Sequence, residues 1–439
     1  LSRSSAASDV YKRQISNKSP FRYYGVKCDK EVFNFEKELG EYLSTSSLSN
    51  NNQHNKVYVT AVNSGTGALE IALDVLGVGS GDEVIVPGFM WISSISAIIR
   101  SRAIPVLVDS DQTLGVDPED LKVKISERTK VIMVVPMLGG SSKIGEIMEV
   151  VRNVNNSRKK DNLSKIFVLE DCAQSLGAHA FGIPGSSQAS LPEGCYKLGT
   201  FGDIGTFSLQ LNKDITAGEG GMVVTRDKEL NDRVDALHNA GYIKKEKNNV
   251  NWYGDIPHGW GHGRRMSELQ GAVARVQLKK LDSILENIRK NHSFFEEFFK
   301  KQGIKLRKRA YQNNPGDTGY YLCFHLPDNL DDNTAISKGR EIAKDLKDKG
   351  FNVWFLHDFE VHIYYNIEPL VKKFPMNDGS PWEDPKNSFH TQYNYDRGAL
   401  PNLDHLLIRT IGLNMPSKMS DNTRDNMMND LLVTLNNLY

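Results

Sequence analysis

The sequence predicts an α/β fold: a large domain with a mostly parallel sheet flanked by helices, followed by a smaller C-terminal α+β domain. Three observations carry this. Short β-branched runs alternate with helical runs between Val57 and Asn239, the pattern of a parallel sheet with helices on both faces. A long amphipathic run, Met266–Phe299, then separates that part from the rest. The segments beyond it follow a mixed order. A length of 439 residues suits two domains at roughly 100–200 residues each.

The elements follow in order. EVFNFEKELGEYL places Val32, Phe33, Phe35, Leu39 and Leu43 on one helical face. VYVTAV (57–62) reads as a strand and Gly65–Leu76 as a helix. EVIVP (83–87) is a strand before a helix at Trp91–Arg100. IPVLVD (104–109) precedes a short helix at Pro118–Ile125. VIMVVP (131–136) precedes a helix at Ile144–Val151, and IFVLED (166–171) is the next strand. Gly205–Ser208 and Gly221–Thr225 are short strands, with a helix at Lys228–Asn239. In Met266–Phe299, apolar residues recur every three to five positions, which predicts one long helix crossing between domains. YYLCFHL (320–326) and FNVWF (351–355) read as strands, and Asn333–Lys349 and Asn422–Leu438 as helices. The expected division is a 1–20 tail, a 21–285 large domain and a 286–439 small domain.

LSRSSAASDVYKRQISNKSP (1–20) has no sustained apolar periodicity and no signal-peptide core. It is expected to be a disordered or artefactual tail. Ser44–Lys56 (STSSLSNNNQHNK) reads as a surface loop. Lys+Arg and Asp+Glu are both 54, so no excess of positive charge favours a nucleic-acid partner. The longest apolar stretch, Val131–Leu138, is far below the roughly 20 residues of a membrane span. Cys28, Cys172, Cys195 and Cys323 are scattered without zinc spacing, which points to reduced thiols in a cytoplasmic enzyme with no metal. Gly77–Gly81 precedes a strand and is not a dinucleotide fingerprint. His258 and His262 sit among glycines without an HExxH frame.

Chemistry is expected outside the carboxyl ends of the strands. Asn63–Ala68 follows a strand and opens a helix; its small residues fit either an anion at the helix N-terminus or a plain cap. Glu170-Asp171 ends a buried strand, where a carboxylate needs a partner or a capping role, and Gln174 follows it. Ser208 and Lys213 precede the glycine-rich turn Thr216–Gly221. Trp91 follows Pro87-Gly88-Phe89 and fits either core packing or a site wall.

Taken together, SGTGAL, GDEVIVPGFMW, LEDCAQSLGA, GDIGTFSLQLNKDITAGEGGMVVT and RRMSELQGAVARVQLKKLD, in that order, resemble the DegT/DnrJ/StrS family. These are fold-type-I enzymes dependent on pyridoxal 5'-phosphate, mostly sugar aminotransferases. The resemblance runs from about Phe21 to Asp282 and weakens beyond. It implies that Lys213 forms a Schiff base with the cofactor, Asp171 faces the ring nitrogen, Gln174 lies near the phenolic oxygen and Trp91 stacks on the ring. Thr66, Gly67 and Ser208 would hold the phosphate. It also implies a homodimer with shared active sites. The partners would be an amino-acid donor, glutamate first, and a keto sugar, nucleotide-linked or long-chain and acidic. Some family relatives carry histidine in place of the lysine and dehydrate sugars, so Lys213 favours transamination over a dehydratase or a non-catalytic regulator.

Two departures stand out. The family's G-x-N-x-R-M stretch reads Gly261-His262-Gly263-Arg264-Arg265-Met266, with Gly263 where an asparagine would reach the partner subunit. Either Arg264 or His262 substitutes, or that contact is missing. The Pro184–Tyr196 insertion (PGSSQASLPEGCY) fits a substrate-selecting loop or a variable surface loop. Arg22, Tyr23 and Tyr24 resemble family residues near the substrate.

Overall fold

The computed structural model describes residues 5–17, 20–23, 30–44, 56–140, 142–186, 191–243, 256–311 and 316–435. Two helices precede the sheet, α1 (Ser5–Ser16) and α2 (Glu31–Ser44). The expectation of a structureless 1–20 tail is corrected by α1. This helix lies against the later helix Glu268–Leu278, Gln14 is buried, and Arg13 reaches the buried Glu31 carboxylate at 2.7 Å. A helix without a clean apolar stripe is held by docking, which periodicity does not register. Most of Ser44–Lys56 lies outside the described residues.

The sheet is built from β1 (Tyr58–Val62), α3 (Gly65–Val75), β2 (Glu83–Pro87), α4 (Ile92–Arg100), β3 (Ile104–Val108), α5 (Pro118–Lys124), β4 (Thr129–Val134), α6 (Ile144–Lys160) and β5 (Phe167–Asp171). A hairpin, β6 (His179–Gly182) and β7 (Gly194–Lys197), leads to β8 (Ile204–Ser208), β9 (Gly221–Thr225) and α7 (Lys228–Leu237). The strand order is β1-β9-β8-β5-β4-β2-β3. Every neighbouring pair is parallel except the two that β9 makes. Between β8 and β9 there is a loop and no helix, so β9 returns antiparallel. Strand alternation feeds two cores. Val84, Val86, Val131 and Met133 face one side, whereas Ile85, Ile132 and Val134 face the other.

β10 (Tyr242–Ile243) pairs with β11 (Ile256–Pro257). The single helix expected over Met266–Phe299 is two: α8 (Glu268–Leu278) and α9 (Leu281–Lys301). At the joint, Lys280 N–H donates to the Gln277 carbonyl at 2.9 Å, a tightened turn that redirects the chain. The apolar spacing ran on across the joint because Leu278 and Leu281 are both buried.

Beyond α9 lie β12 (Tyr321–His325), α10 (Asp332–Asp348), β13 (Val353–Phe355), α11 (Glu368–Val371), α12 (Pro401–Leu407), β14 (Thr410–Asn414) and α13 (Asp421–Leu435). The order β12-β14-β13 makes β14 the centre of an antiparallel sheet. The 286–439 segment is not one body. Phe299, Phe324, Ile342, Val353 and Ile411 form a separate core, whereas Tyr364, Trp382, Tyr395, Leu400 and Leu403 pack into the large-domain core. The return of 359–408 onto the large domain has no periodic signature in the sequence.

Candidate active site

The carboxyl ends of β1, β2, β4, β5 and β8 open on one side of the sheet, and a cavity of about 460 Å³ lies there. β1 runs into Ser64, whose Oγ caps α3 by accepting the Gly67 N–H at 3.0 Å. The Gly65 and Thr66 N–H groups, in the first turn, have no acceptor within the helix. Ser64, Gly65 and Thr66 line the cavity together with Ser208 at the end of β8. Thr66 Oγ1 lies 2.8 Å from Ser93 Oγ. This cradle combines hydroxyls with a positive helix end and suits a phosphate.

Gly67 does not line the cavity. Its N–H is spent on the Ser64 cap, and a Cβ there would fall 2.7 Å from Arg264 Cδ. Ser64, the capping residue, is on the wall instead.

Asp171 closes the floor at the end of β5. Ser94 Oγ donates to its Oδ2 at 2.8 Å and the Ala173 N–H to its Oδ1 at 3.3 Å. Burial raises its pKa, while the Ser94 and Ala173 bonds and the nearby Lys213 charge oppose that rise. Glu170, next to it, points to the other face and accepts the N–H groups of Gly199, Phe201 and Gly202, each at 2.8 Å. It shapes a turn and takes no part in the cavity.

Lys213 sits at the tip of the β8–β9 loop. The loop is pinched shut by Leu209 N–H to the Gly220 carbonyl at 2.9 Å and Ala217 N–H to the Leu209 carbonyl at 3.0 Å. Burial lowers the Lys213 pKa, and Asp171 and Asp214 pull it back up. Gln174 Oε1 accepts the Leu138 N–H at 2.9 Å, which leaves its NH₂ as a donor at the cavity. Trp91 stands at the rim, 43% exposed, with its ring 4.7 Å from His362.

Residues 27–372 match the DegT/DnrJ/EryC1/StrS aminotransferase family. The chain belongs to this family. It is 37% identical over 251 residues to a GDP-perosamine synthase of Escherichia coli O157:H7, covering 57% of this chain and 61% of that protein. It is 32% identical over 282 residues to an L-glutamine:2-deoxy-scyllo-inosose aminotransferase of Streptomyces kanamyceticus, covering 63% and 60%. The matched stretch thus spans about three fifths of the length of these curated relatives. Among solved structures, an aminotransferase from Psychrobacter cryohalolentis superposes with a TM-score of 0.73 at 24% identity, covering 98% of this chain and 97% of that one. A GDP-4-keto-6-deoxymannose-3-dehydratase superposes at 0.69 and 19% identity, covering 97% of both chains. The shared fold therefore hosts both kinds of protein.

The family's asparagine position is answered within the chain. Gly263 has a φ of +65° and open space where a side chain would stand. Arg264 pairs with Glu70 and His262 Nε2 lies 2.8 Å from Asp74, both carboxylates on α3. Both side chains thus have an intrachain partner on α3, although Arg264 Nε has no hydrogen-bond partner among the described residues.

Of the Pro184–Tyr196 insertion, the described part packs away from the cavity. Its described stem is held by Arg152 and Asn155 of α6, which donate to the Gly185 and Ser186 carbonyls, and Ser186 Oγ donates to Asp203 at 2.7 Å. Asn155 and Asp203 in turn bind the N–H groups of Ile166 and Val168, at the start of β5. That is the opposite end of the strand from Asp171. Residues 187–190 lie outside the described residues. Arg22 pairs with Glu36, and Tyr23 Oη lies 2.9 Å from His238 Nε2; neither lines this cavity. Tyr24 lies outside the described residues.

The sequence reading missed the far wall. Tyr320, Tyr321, Asn352, Trp354, Phe359, His362 and Asn414 come from the segments after α9. The Phe359 and His362 rings stack at 4.0 Å and 8°, and Trp354 follows at 5.0 Å. His362 is pushed down to about 4 by burial and by the Lys213 charge, so it is neutral. The chain reaches this place because Met90 N–H donates to the His362 carbonyl at 3.0 Å and Phe89 bridges to Ile363. Asp214 was also missed: it lines the cavity beside Lys213.

Proposed function

We propose that the chain is a pyridoxal 5'-phosphate-dependent aminotransferase that moves an amino group from an amino acid, glutamate first, to a keto sugar by a ping-pong route. The observation that carries this reading is the meeting of Lys213 and Asp171 in one cavity, under a helix N-terminus lined by hydroxyls. The donor set suits the cofactor: a cationic helix end for a phosphate, a buried carboxylate for a ring nitrogen, and an amine for an aldehyde. When bound, the cofactor supplies the electron sink that this chemistry needs.

The chain's own residues do the rest. Ser64, Thr66, Ser208 and the first-turn N–H groups of α3 hold the phosphate. Asp171 keeps a negative charge opposite the ring nitrogen, and Ser94 favours its ionised form. Gln174 would offer its NH₂ to the phenolic oxygen. Trp91 would cover the ring. Lys213 Nζ would be the amine that meets the cofactor's aldehyde and, when free, the group placed to take up and return a proton as base and then acid. The sugar would lie against the ring wall Trp354–Phe359–His362, whose apolar faces suit the C–H face of a sugar. The protein would work in the cytoplasm as a homodimer.

The test is a visible spectrum of the purified protein before and after L-glutamate. A lysine-bound band that disappears as 2-oxoglutarate forms supports the reading. A band that persists with glutamate and glutamine alike favours a dehydratase or a regulator. No band after adding pyridoxal phosphate overturns it, as would full turnover by Lys213→Ala.

A further inference from the structure

Asp214 follows Lys213 on the same pinched loop and shares its cavity. Its Oδ1 is enclosed and has no hydrogen-bond partner among the described residues. An enclosed carboxylate oxygen without a donor is a costly arrangement that calls for a reason. The charged and titratable groups that face it come from four places: Lys213 on its own loop, Arg289 on α9, Tyr320 just before β12, and Tyr42 on α2. The Leu176 N–H also points at the carboxylate. Arg289 gives Oδ1 no hydrogen bond; its guanidinium donates to the carbonyls of Asp317 at 2.9 Å and Gly177 at 2.8 Å. The one flexible cation facing the carboxylate among these groups is Lys213.

We propose that Asp214 is a positioning residue for Lys213: its enclosed Oδ1 receives the Lys213 ammonium whenever Asp171 is engaged by another positive charge. The proposal rests on the function proposed above. Lys213 has two carboxylates within electrostatic reach, Asp171 and Asp214. A protonated ring nitrogen would occupy Asp171, already fixed by Ser94 and Ala173. Asp214 is then the counter-charge left for a released, protonated lysine. The proton stays on Nζ throughout and no bond forms or breaks at Asp214. Burial pushes Asp214 up to about 7, against the pull of Lys213 and Arg289, so its charge near neutrality depends on a cation beside it.

The test uses the full-length protein loaded with pyridoxal phosphate, comparing wild type, Asp214→Asn and Asp214→Glu. The readout is the pH midpoint of Lys213 acetylation after L-glutamate has converted the bound cofactor to its aminated form and freed the lysine. Asp214→Asn is expected to lower that midpoint by about one pH unit, and Asp214→Glu to restore it. A midpoint unmoved in a folded Asp214→Asn protein overturns the proposal. Absence of any visible band in wild type overturns the cofactor reading instead. In that event the same comparison is made by competitive acetylation of Lys213 in the unloaded chain, read by mass spectrometry. There, about tenfold faster labelling near neutral pH in Asp214→Asn supports the pairing, and equal labelling overturns it. If Asp214→Asn does not fold, carbon-13 NMR of the aspartate carboxyls in Lys213→Ala decides. An Asp214 midpoint that rises on losing the lysine supports the proposal, and one that stays overturns it.

Discussion

Ser94 Oγ donates to Asp171 Oδ2 at 2.8 Å, and both residues are buried. α4 thus fixes the carboxylate that β5 delivers, and its hydrogen bond favours the ionised form against the burial that raises the pKa. Ser94→Ala should leave that oxygen with one donor fewer and raise the Asp171 pKa further. The expected result is weaker cofactor binding by about tenfold, since a hydrogen bond to a charged group contributes roughly 1.5–3 kcal/mol. Titration of the unloaded protein with pyridoxal phosphate, followed by absorbance, measures it.

Arg264 is engaged by Glu70, which also takes Arg100 at 3.1 Å. Arg264→Ala should therefore cost about 1 kcal/mol of stability, read by urea unfolding, and change cofactor affinity by less than about threefold. A much larger loss of affinity would mean that Arg264 leaves Glu70 to hold the phosphate.

Much of the large domain was legible because each strand is short, β-branched and closed by a turn signal, and each helix carries its own apolar face. The cavity's strand-end residues were reached by the same signals: Asp171 ends β5, Ser208 ends β8, and Lys213 lies in the loop that follows β8. The far wall was not. His362 and Phe359 arrive by backbone bonds to Met90 and Phe89, a pairing between segments distant in sequence and without periodicity of their own. The break at Lys279–Lys280 was hidden by apolar residues on both sides of it. Gly67 was grouped with the phosphate donors because a glycine beside a cap looks the same in sequence whether its N–H serves the cap or a ligand.

Arg307 and Asp317 form a buried pair at 2.7 Å, with side chains 7% and 6% exposed. Asp317→Asn should leave the guanidinium uncompensated and cost about 3–5 kcal/mol. The double exchange Arg307→Met with Asp317→Leu should cost clearly less, because no charge is left behind. Urea unfolding of the three proteins gives the comparison.

Asp214 also makes a stability prediction. Its folded pKa, about 7, stands above its ordinary value of 3.8. The fold therefore favours the protonated form. That contribution is complete below the unfolded pKa and is lost as pH rises through about 7. Asp214→Asn should melt a few degrees above wild type at alkaline pH in the unloaded protein, with the gap closing towards acid pH. Thermal melts across that range check it. Parallel curves would mean the carboxylate is not penalised by the fold.

α9 places Leu281 and Leu285 in the large-domain core and Ile288, Phe295 and Phe299 in the small one. A single rigid rod thus has each end cast into a different block. Segment 359–408 crosses back and ties the blocks a second time. Neither block is complete without chain supplied from the other's side, so heat or denaturant should meet one cooperative unit and give a single transition. A chain cut within α9 should yield no half that survives alone, and the far wall of the cavity is moored to the near one both through α9 and through the backbone bonds of Phe89 and Met90.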